Sequence, residues 1–186
     1  GLCATSPPLH VAIAPGIAGQ SFLTLVRPGD TWRYRENGHD PGRGWTTTAY
    51  REPRDRNWKS GPAQLGYGDG DEATVLDVQP EGIFKPITAY FRRQFANNLA
   101  VTAATLRVLR DDGVVVYLNG TEVFRNNMPL GTISSNTLAT ASLAGKDENE
   151  WLVRSLSPAL LKNGANLVAA EVHQCSAFSV DLSFDL

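Results

Sequence analysis

At the end of the chain Val180, Leu182, Phe184 and Leu186 alternate with Asp181, Ser183 and Asp185. That period of two belongs to a strand with one apolar and one wet face. Leu167 to His173 predicts a second strand, and Thr88 to Phe95 a third, with Phe91 and Phe95 opposite the face of Tyr90, Arg92 and Gln94. The clearest local signal runs from Arg107 to Arg125, where two β-rich runs flank Asn119-Gly120. A type I′ turn needs positive φ at both central positions, which Asn and Gly tolerate. The predicted hairpin therefore sets Leu118 opposite Thr121, Tyr117 opposite Glu122 and Val116 opposite Val123. Asp111-Asp112-Gly113 reads as a turn bringing the strand Thr105 to Arg110 beside this hairpin, in a three-stranded meander, or as an acidic turn that offers oxygen ligands for Ca²⁺. The one helical turn expected is Ser157 to Gly164, with Ser as N-cap, Pro at the first helical position and Gly as terminator.

Many short strands punctuated by 17 Gly and 11 Pro predict an all-β antiparallel sandwich or barrel. Residues 1–21 carry small residues, Pro and Gly without a period and read as a linker or edge segment. Residues 22–186 then form a single domain. A chain of 186 residues buries about 70% of its unfolded surface, so it needs neither metal nor disulfide merely to fold.

Seventeen Lys+Arg against 19 Asp+Glu leave a formal charge of −2, with no basic footprint for nucleic acid or an anionic membrane. Neither is expected as a partner. No apolar run approaches the ~20 residues that span a bilayer, and no basic flank precedes an apolar segment at the N-terminus. The expectation is a soluble chain from which any signal peptide has been removed. Two cysteines, Cys3 and Cys175, are too few for a four-ligand zinc site. They read either as one bridge, worth roughly 5 kcal/mol for so long a loop, or as two unrelated thiols. A bridge would argue for an exported protein.

Candidate chemistry falls in three places. Trp45 and Trp58 stand beside Asp40-Pro41-Gly42-Arg43-Gly44 and Arg54-Asp55-Arg56-Asn57, polar turns where an aromatic face can stay open to a sugar ring. Tyr67 and Arg56 join that set; the competing reading has the tryptophans capping the core. Glu171 and His173 lie two apart on one strand face, and Asp181 approaches them if its strand pairs with theirs. That cluster suits a ligand hydroxyl, a metal or acid–base chemistry, or is a structural pair holding a loop. Asp69, Asp71 and Glu72, with Asp181, offer hard oxygen ligands for Ca²⁺, or form a solvated turn without the later ligands of an EF-hand loop. His10 and His39 are too scattered to complete a three-histidine zinc site.

The succession Trp32…Trp45…Trp58-Lys59-Ser60-Gly61-Pro62-Ala63-Gln64-Leu65-Gly66-Tyr67-Gly68-Asp69-Gly70, then Tyr90-Phe91-Arg92-Arg93, then Asp111-Asp112-Gly113…Tyr117-Leu118-Asn119-Gly120…Met128-Pro129, then Glu171-Val172-His173-Gln174 and Asp181-Leu182 resembles a galactose-binding-like jelly-roll module of large secreted bacterial proteins. The likeness covers residues 22–186. It implies a jelly-roll β-sandwich, secreted or on the bacterial cell surface, serving as an accessory domain beside the catalytic or adhesive domains of one polypeptide. Jelly rolls of this type also imply a structural calcium ion. The chain departs from the pattern after His173-Gln174, where Cys175, Phe178 and Val180 stand in place of small hydroxyl residues. The function expected is non-catalytic carbohydrate binding through loop aromatics. Its rivals are a structural module orienting a neighbouring domain and a small hydrolase built on Glu171 and His173.

Overall fold

The computed structural model describes residues 11–13, 21–53, 57–78 and 85–186, which fold as two β-sheets packed face to face. The strands in chain order are β1 (Val11–Ile13), β2 (Ser21–Leu23), β3 (Thr31–Arg35), β4 (Lys59–Pro62), β5 (Leu65–Tyr67), β6 (Thr74–Val75), β7 (Thr88–Asn97), β8 (Val101–Asp111), β9 (Gly113–Leu118), β10 (Thr121–Asn126), β11 (Leu152–Leu156), β12 (Gly164–His173) and β13 (Leu182–Asp185). One sheet runs β2-β1-β8-β13-β5-β6 with β11 also paired to β8, and the other runs β10-β9-β12-β7-β3-β4. From β7 onward the chain changes sheet at almost every connection, which closes the sandwich around one core.

Alternation supplies that core. Phe91 of β7, Val114 and Val116 of β9, Val168, Ala170 and Val172 of β12 face Val108 of β8 and Leu182 and Phe184 of β13. Phe184 stacks on Phe91 at a centroid distance of 4.2 Å and meets the edge of Trp32 at 5.0 Å. Such ring pairs add about 0.5–1.5 kcal/mol beyond the area they bury.

The six-stranded sheet is buried on its other face as well. Tyr90, Leu167 and Ala169 pack there beneath Trp45 and Trp58 of the long β3–β4 connection, and Val115 packs beneath Met128 and Ala139. This double burial explains why Val114, Val115 and Val116 run without a polar partner between them.

Three expected features come out differently. The hairpin turns at Asn119 (φ 53°) and Gly120 (φ 90°) with Leu118 opposite Thr121 and Tyr117 opposite Glu122. A bulge at Val123 then sets Phe124, not Val123, opposite Val116. The meander does not form: β8 and β9 belong to different sheets, and β12 takes the place beside β9. Asp111-Asp112-Gly113 is a buried crossing, so tight that a Cβ on Gly113 would lie 2.8 Å from the Asn127 carbonyl oxygen. In β13, Ser183 and Asp185 are buried although the period places them in water, because β5 and β8 flank the strand and Asp185 accepts the Gly29 amide at 3.0 Å. Val180 precedes β13 and is 73% exposed.

The WKSGPAQLGYG run is a corner between the sheets: β4 pairs with β3, and β5 pairs with β13. The helical turn shrinks to a short 3-10 segment, Pro158–Leu160, and the Ser157 side chain caps nothing. Val11–Ile13, inside the segment read as linker or edge, pairs with both β2 and β8.

Candidate functional site

Trp45 and Trp58 are lids, not platforms. Both are buried on the outer face of the six-stranded sheet, where Trp45 meets the rings of Tyr90 and Tyr117 edge-on at 5.2 and 5.8 Å. Trp58 meets Tyr50 at 6.3 Å, and the Arg92 guanidinium lies between them, 5.0 Å from the Tyr50 ring and 5.7 Å from that of Trp58. The connection is held down by ions. Glu52 accepts from Arg92 at 3.1 Å and from Arg33 at 2.6 Å, and Arg92 also donates to the Thr47 carbonyl at 3.1 Å. Burial pushes the Glu52 carboxyl upward, but the two guanidiniums outweigh it and hold its pKa below the ordinary range. The exposure expected of these tryptophans is therefore corrected: an apolar sheet face needs a cover, and the indoles supply it. Arg56 lies outside the described residues. Tyr67 is buried in β5 and accepts from Gln174 Nε2 at 3.1 Å. Burial first and the charge of Asp181 second raise the pKa of its hydroxyl well above normal.

Glu171 and His173 share one face of β12, as their spacing requires, with His173 Nε2 3.4 Å from Glu171 Oε2. Tyr117 donates to Glu171 Oε1 at 2.6 Å, and burial followed by that carboxylate pushes the phenol pKa upward. His173 Nδ1 donates to the Thr137 carbonyl at 2.7 Å and lies 2.9 Å from Thr88 Oγ1, whose hydroxyl donates to the Ser135 carbonyl. His173 is fully buried, and the cluster ties the 133–140 loop to the sheet. Asp181 does not join it. Strand β13 lies in the opposite sheet from β12, so the approach expected of Asp181 is replaced by contacts on the far side of the sandwich.

The acidic turn forms as expected: Asp69, Asp71 and Glu72 hold ligand oxygens within 4.8 Å of one another. Those oxygens already have protein donors. Glu72 accepts the amides of Asp69 and Gly70 at 2.9 and 3.0 Å, Asp69 accepts Ser183 Oγ at 2.8 Å, and Asp71 accepts Gln64 Nε2 at 3.3 Å. Asp181 is outside this group, although burial and then the charge of Asp69 raise its pKa. Cys3 lies outside the described residues, and Cys175 forms no disulfide within them.

An open cleft of about 410 Å³ lies between the 142–148 and 175–181 loops. Its lining combines Ser142, Glu148, Ser176, Ser179 and Asp181 with Phe178, whose ring is 62% exposed. No periodic pattern marks these residues. The signal available in the sequence was the departure at Cys175, Phe178 and Val180, and all three line the cleft. Beneath it the Asp112 carboxylate fastens both walls, accepting the Leu143 amide at 2.7 Å and the Cys175 amide at 2.8 Å. Burial, together with the neighbouring Asp112, pushes the Cys175 thiol upward.

No protein-family model matches this sequence, and no curated protein is similar to it. Among solved structures, a Bifidobacterium dentium beta-glucuronidase complexed with coumarin-3-O-glucuronide superimposes with a TM-score of 0.47 at 14% identity, over 80% of this chain and 20% of its own. A beta-glycosidase from Bacteroides vulgatus gives 0.41 at 15% identity, over 84% and 19%. A beta-glucuronidase from an uncultured Clostridium sp. gives 0.41 at 15%, over 78% and 21%. The chain thus spans about a fifth of the length of these proteins.

Proposed function

We propose that this chain is a non-catalytic carbohydrate-binding module of an exported bacterial protein, and that its glycan seats in the cleft between the 142–148 and 175–181 loops. The observation that carries the reading is the pairing of the exposed Phe178 ring with hydroxyl and carboxylate side chains around one 410 Å³ opening. A pyranose presents a C–H face to an aromatic ring and hydroxyls to planar acceptors, and openings of about 300–1,000 Å³ hold small ligands. Glu148 and Asp181 are the acceptors, with Ser142, Ser176 and Ser179 as the hydroxyl partners. Against a hydrolase built on Glu171 and His173 stands their burial beneath the 133–140 loop, where no substrate reaches them. In this reading the catalytic chemistry belongs to a neighbouring domain of the same polypeptide.

The test is a glycan and polysaccharide binding screen on the protein, repeated with Phe178→Ala and Asp181→Asn. Binding that either variant abolishes while the circular dichroism spectrum persists supports the module and its cleft. No binding across the panel overturns it, and the exposed Phe178 and Val180 then become a contact for an adjoining domain. Glycan turnover by the isolated protein would overturn the non-catalytic part.

A further inference from the structure

The cleft between the 142–148 and 175–181 loops carries charge of one sign. Glu148 and Asp181 both line it, each half-buried, and among the described residues no Lys, Arg or His side chain does so. Neither carboxylate belongs to an ion pair among those residues. A third carboxylate, that of Asp112, stands beneath them, held by the amides of Leu143 and Cys175 at 2.7 and 2.8 Å. The crowding is felt at Asp181, whose pKa is raised by burial first and then by the charge of Asp69.

The cations of the surrounding elements are turned elsewhere. Arg110 donates to Asn126 Oδ1 and to the Asp147 carbonyl, each at 2.9 Å. Lys85 lies over the Tyr67 ring at 4.3 Å and donates to the Val180 carbonyl at 3.3 Å. Lys146 belongs to the 142–148 loop, but its side chain is exposed and does not line the cleft. At the same opening stands the Phe178 ring, 62% exposed, and an aromatic face attracts a cation as readily as the C–H face of a sugar.

Charge of one sign separates the glycans that could enter. A neutral sugar gives each carboxylate an ordinary hydroxyl hydrogen bond, whereas an ammonium gives a charge-assisted one of about twice the strength. A uronate brings its own negative charge against two others and is repelled. N-acetylation of an amino sugar removes the positive charge, as acetylation of a lysine does. We infer that the cleft selects glycans bearing free amino groups, such as runs of 2-amino-2-deoxyglucose, with Glu148 and Asp181 receiving the ammonium and Phe178 the C–H face. This deepens the glycan reading of the cleft and rests on it.

Hexasaccharides of glucosamine, N-acetylglucosamine, glucose and galacturonate are titrated into the protein by calorimetry at pH 6 and low salt, with hexalysine as the control for bare charge. Expected is glucosamine binding at least about tenfold tighter than that of either neutral sugar, the worth of one charge-assisted hydrogen bond, with galacturonate and hexalysine weaker still. Glu148→Gln keeps the shape of the side chain, so it should lose most of the preference for glucosamine while retaining the glucose affinity. The wild-type comparison needs no variant to fold. Equal or tighter binding of a neutral sugar, of galacturonate or of hexalysine overturns the selectivity. If a neutral sugar or galacturonate is the ligand preferred, the glycan reading of the cleft stands without it; if no hexasaccharide binds, both fall. A preference for glucosamine that survives in both Glu148→Gln and Asp181→Asn would also overturn the assignment to these carboxylates.

Discussion

The sandwich buries two polar clusters on opposite sides, and it satisfies them unequally. Around Glu171 and His173 nearly every polar atom is matched, through Tyr117, Thr88 and the carbonyls of Thr137 and Ser135; only His173 Nε2 lacks a hydrogen bond. Around Asp111 and Gln174 three oxygens have no donor, and two of them belong to a carboxylate. A satisfied cluster does structural work, fixing a loop to a sheet. An unsatisfied one costs stability unless something outside the chain completes it. By residue type alone the first looks the more catalytic, yet its burial and bonding give it a structural part, and it is the second that keeps unmatched oxygens.

The largest effect expected tests the aromatic cover on the outer face of the six-stranded sheet. Trp45→Ala removes the indole packed on Tyr90 and Tyr117 and should cost about 3–5 kcal/mol in urea unfolding. A loss below ~1 kcal/mol would mean that Trp45 is not a structural lid.

Next come the clusters themselves, where comparable changes should act in opposite directions. Thr88→Val leaves the Ser135 carbonyl without its hydroxyl donor and removes the second contact of His173 Nδ1, and should destabilise the protein by about 1–3 kcal/mol. Asp111→Asn, without divalent ions, should stabilise it by about the same amount at pH 8. The sign follows from the raised folded pKa of Asp111. Its favourable contribution is complete below the unfolded value near 4 and is lost as pH rises through the folded value, so wild-type stability should fall above pH ~4. Asp111→Asn should flatten that fall, as read from unfolding curves across pH 4–8. Destabilisation by Asp111→Asn in chelator at pH 8 would show that the two clusters are alike.

The smallest effect on stability is expected at the cleft rim. Phe178→Ala should leave the unfolding free energy within about 0.5 kcal/mol, since the ring is largely in water. A larger loss would show that the ring packs structurally and would weaken its role as a sugar platform.

Much of the fold was legible. The strand at 88–97, with Phe91 inward and Tyr90 and Arg92 outward, follows from alternation, as does the placement of Leu182 and Phe184 in the core. Asn119-Gly120 announced its turn because few residue pairs accept two positive φ angles. The candidate site was far less legible. Asp111-Asp112-Gly113 was legible as an acidic turn, solvated or ligand-holding, but nothing local distinguishes a turn on the surface from a crossing between sheets. Trp45 and Trp58 have polar neighbours in sequence, but what buries them is a sheet face built from β7 and β12, over thirty residues further along the chain.

The sequence by itself determined the long strands at 88–97, 101–111 and 164–173, the hairpin of 113–118 and 121–126 with its tight turn, and the apolar face of 182–185. Those properties follow from backbone sterics and side-chain period, which act over a few residues. Only the tertiary structure decided that β8 and β9 part into different sheets, that Asp181 stands with Asp111 and Gln174 instead of Glu171 and His173, and that Phe178 stays in solvent while the tryptophans do not. Strand partners and the burial of polar groups depend on surfaces assembled from the whole chain, and the cost of a buried carboxylate exists only after the fold has removed it from water.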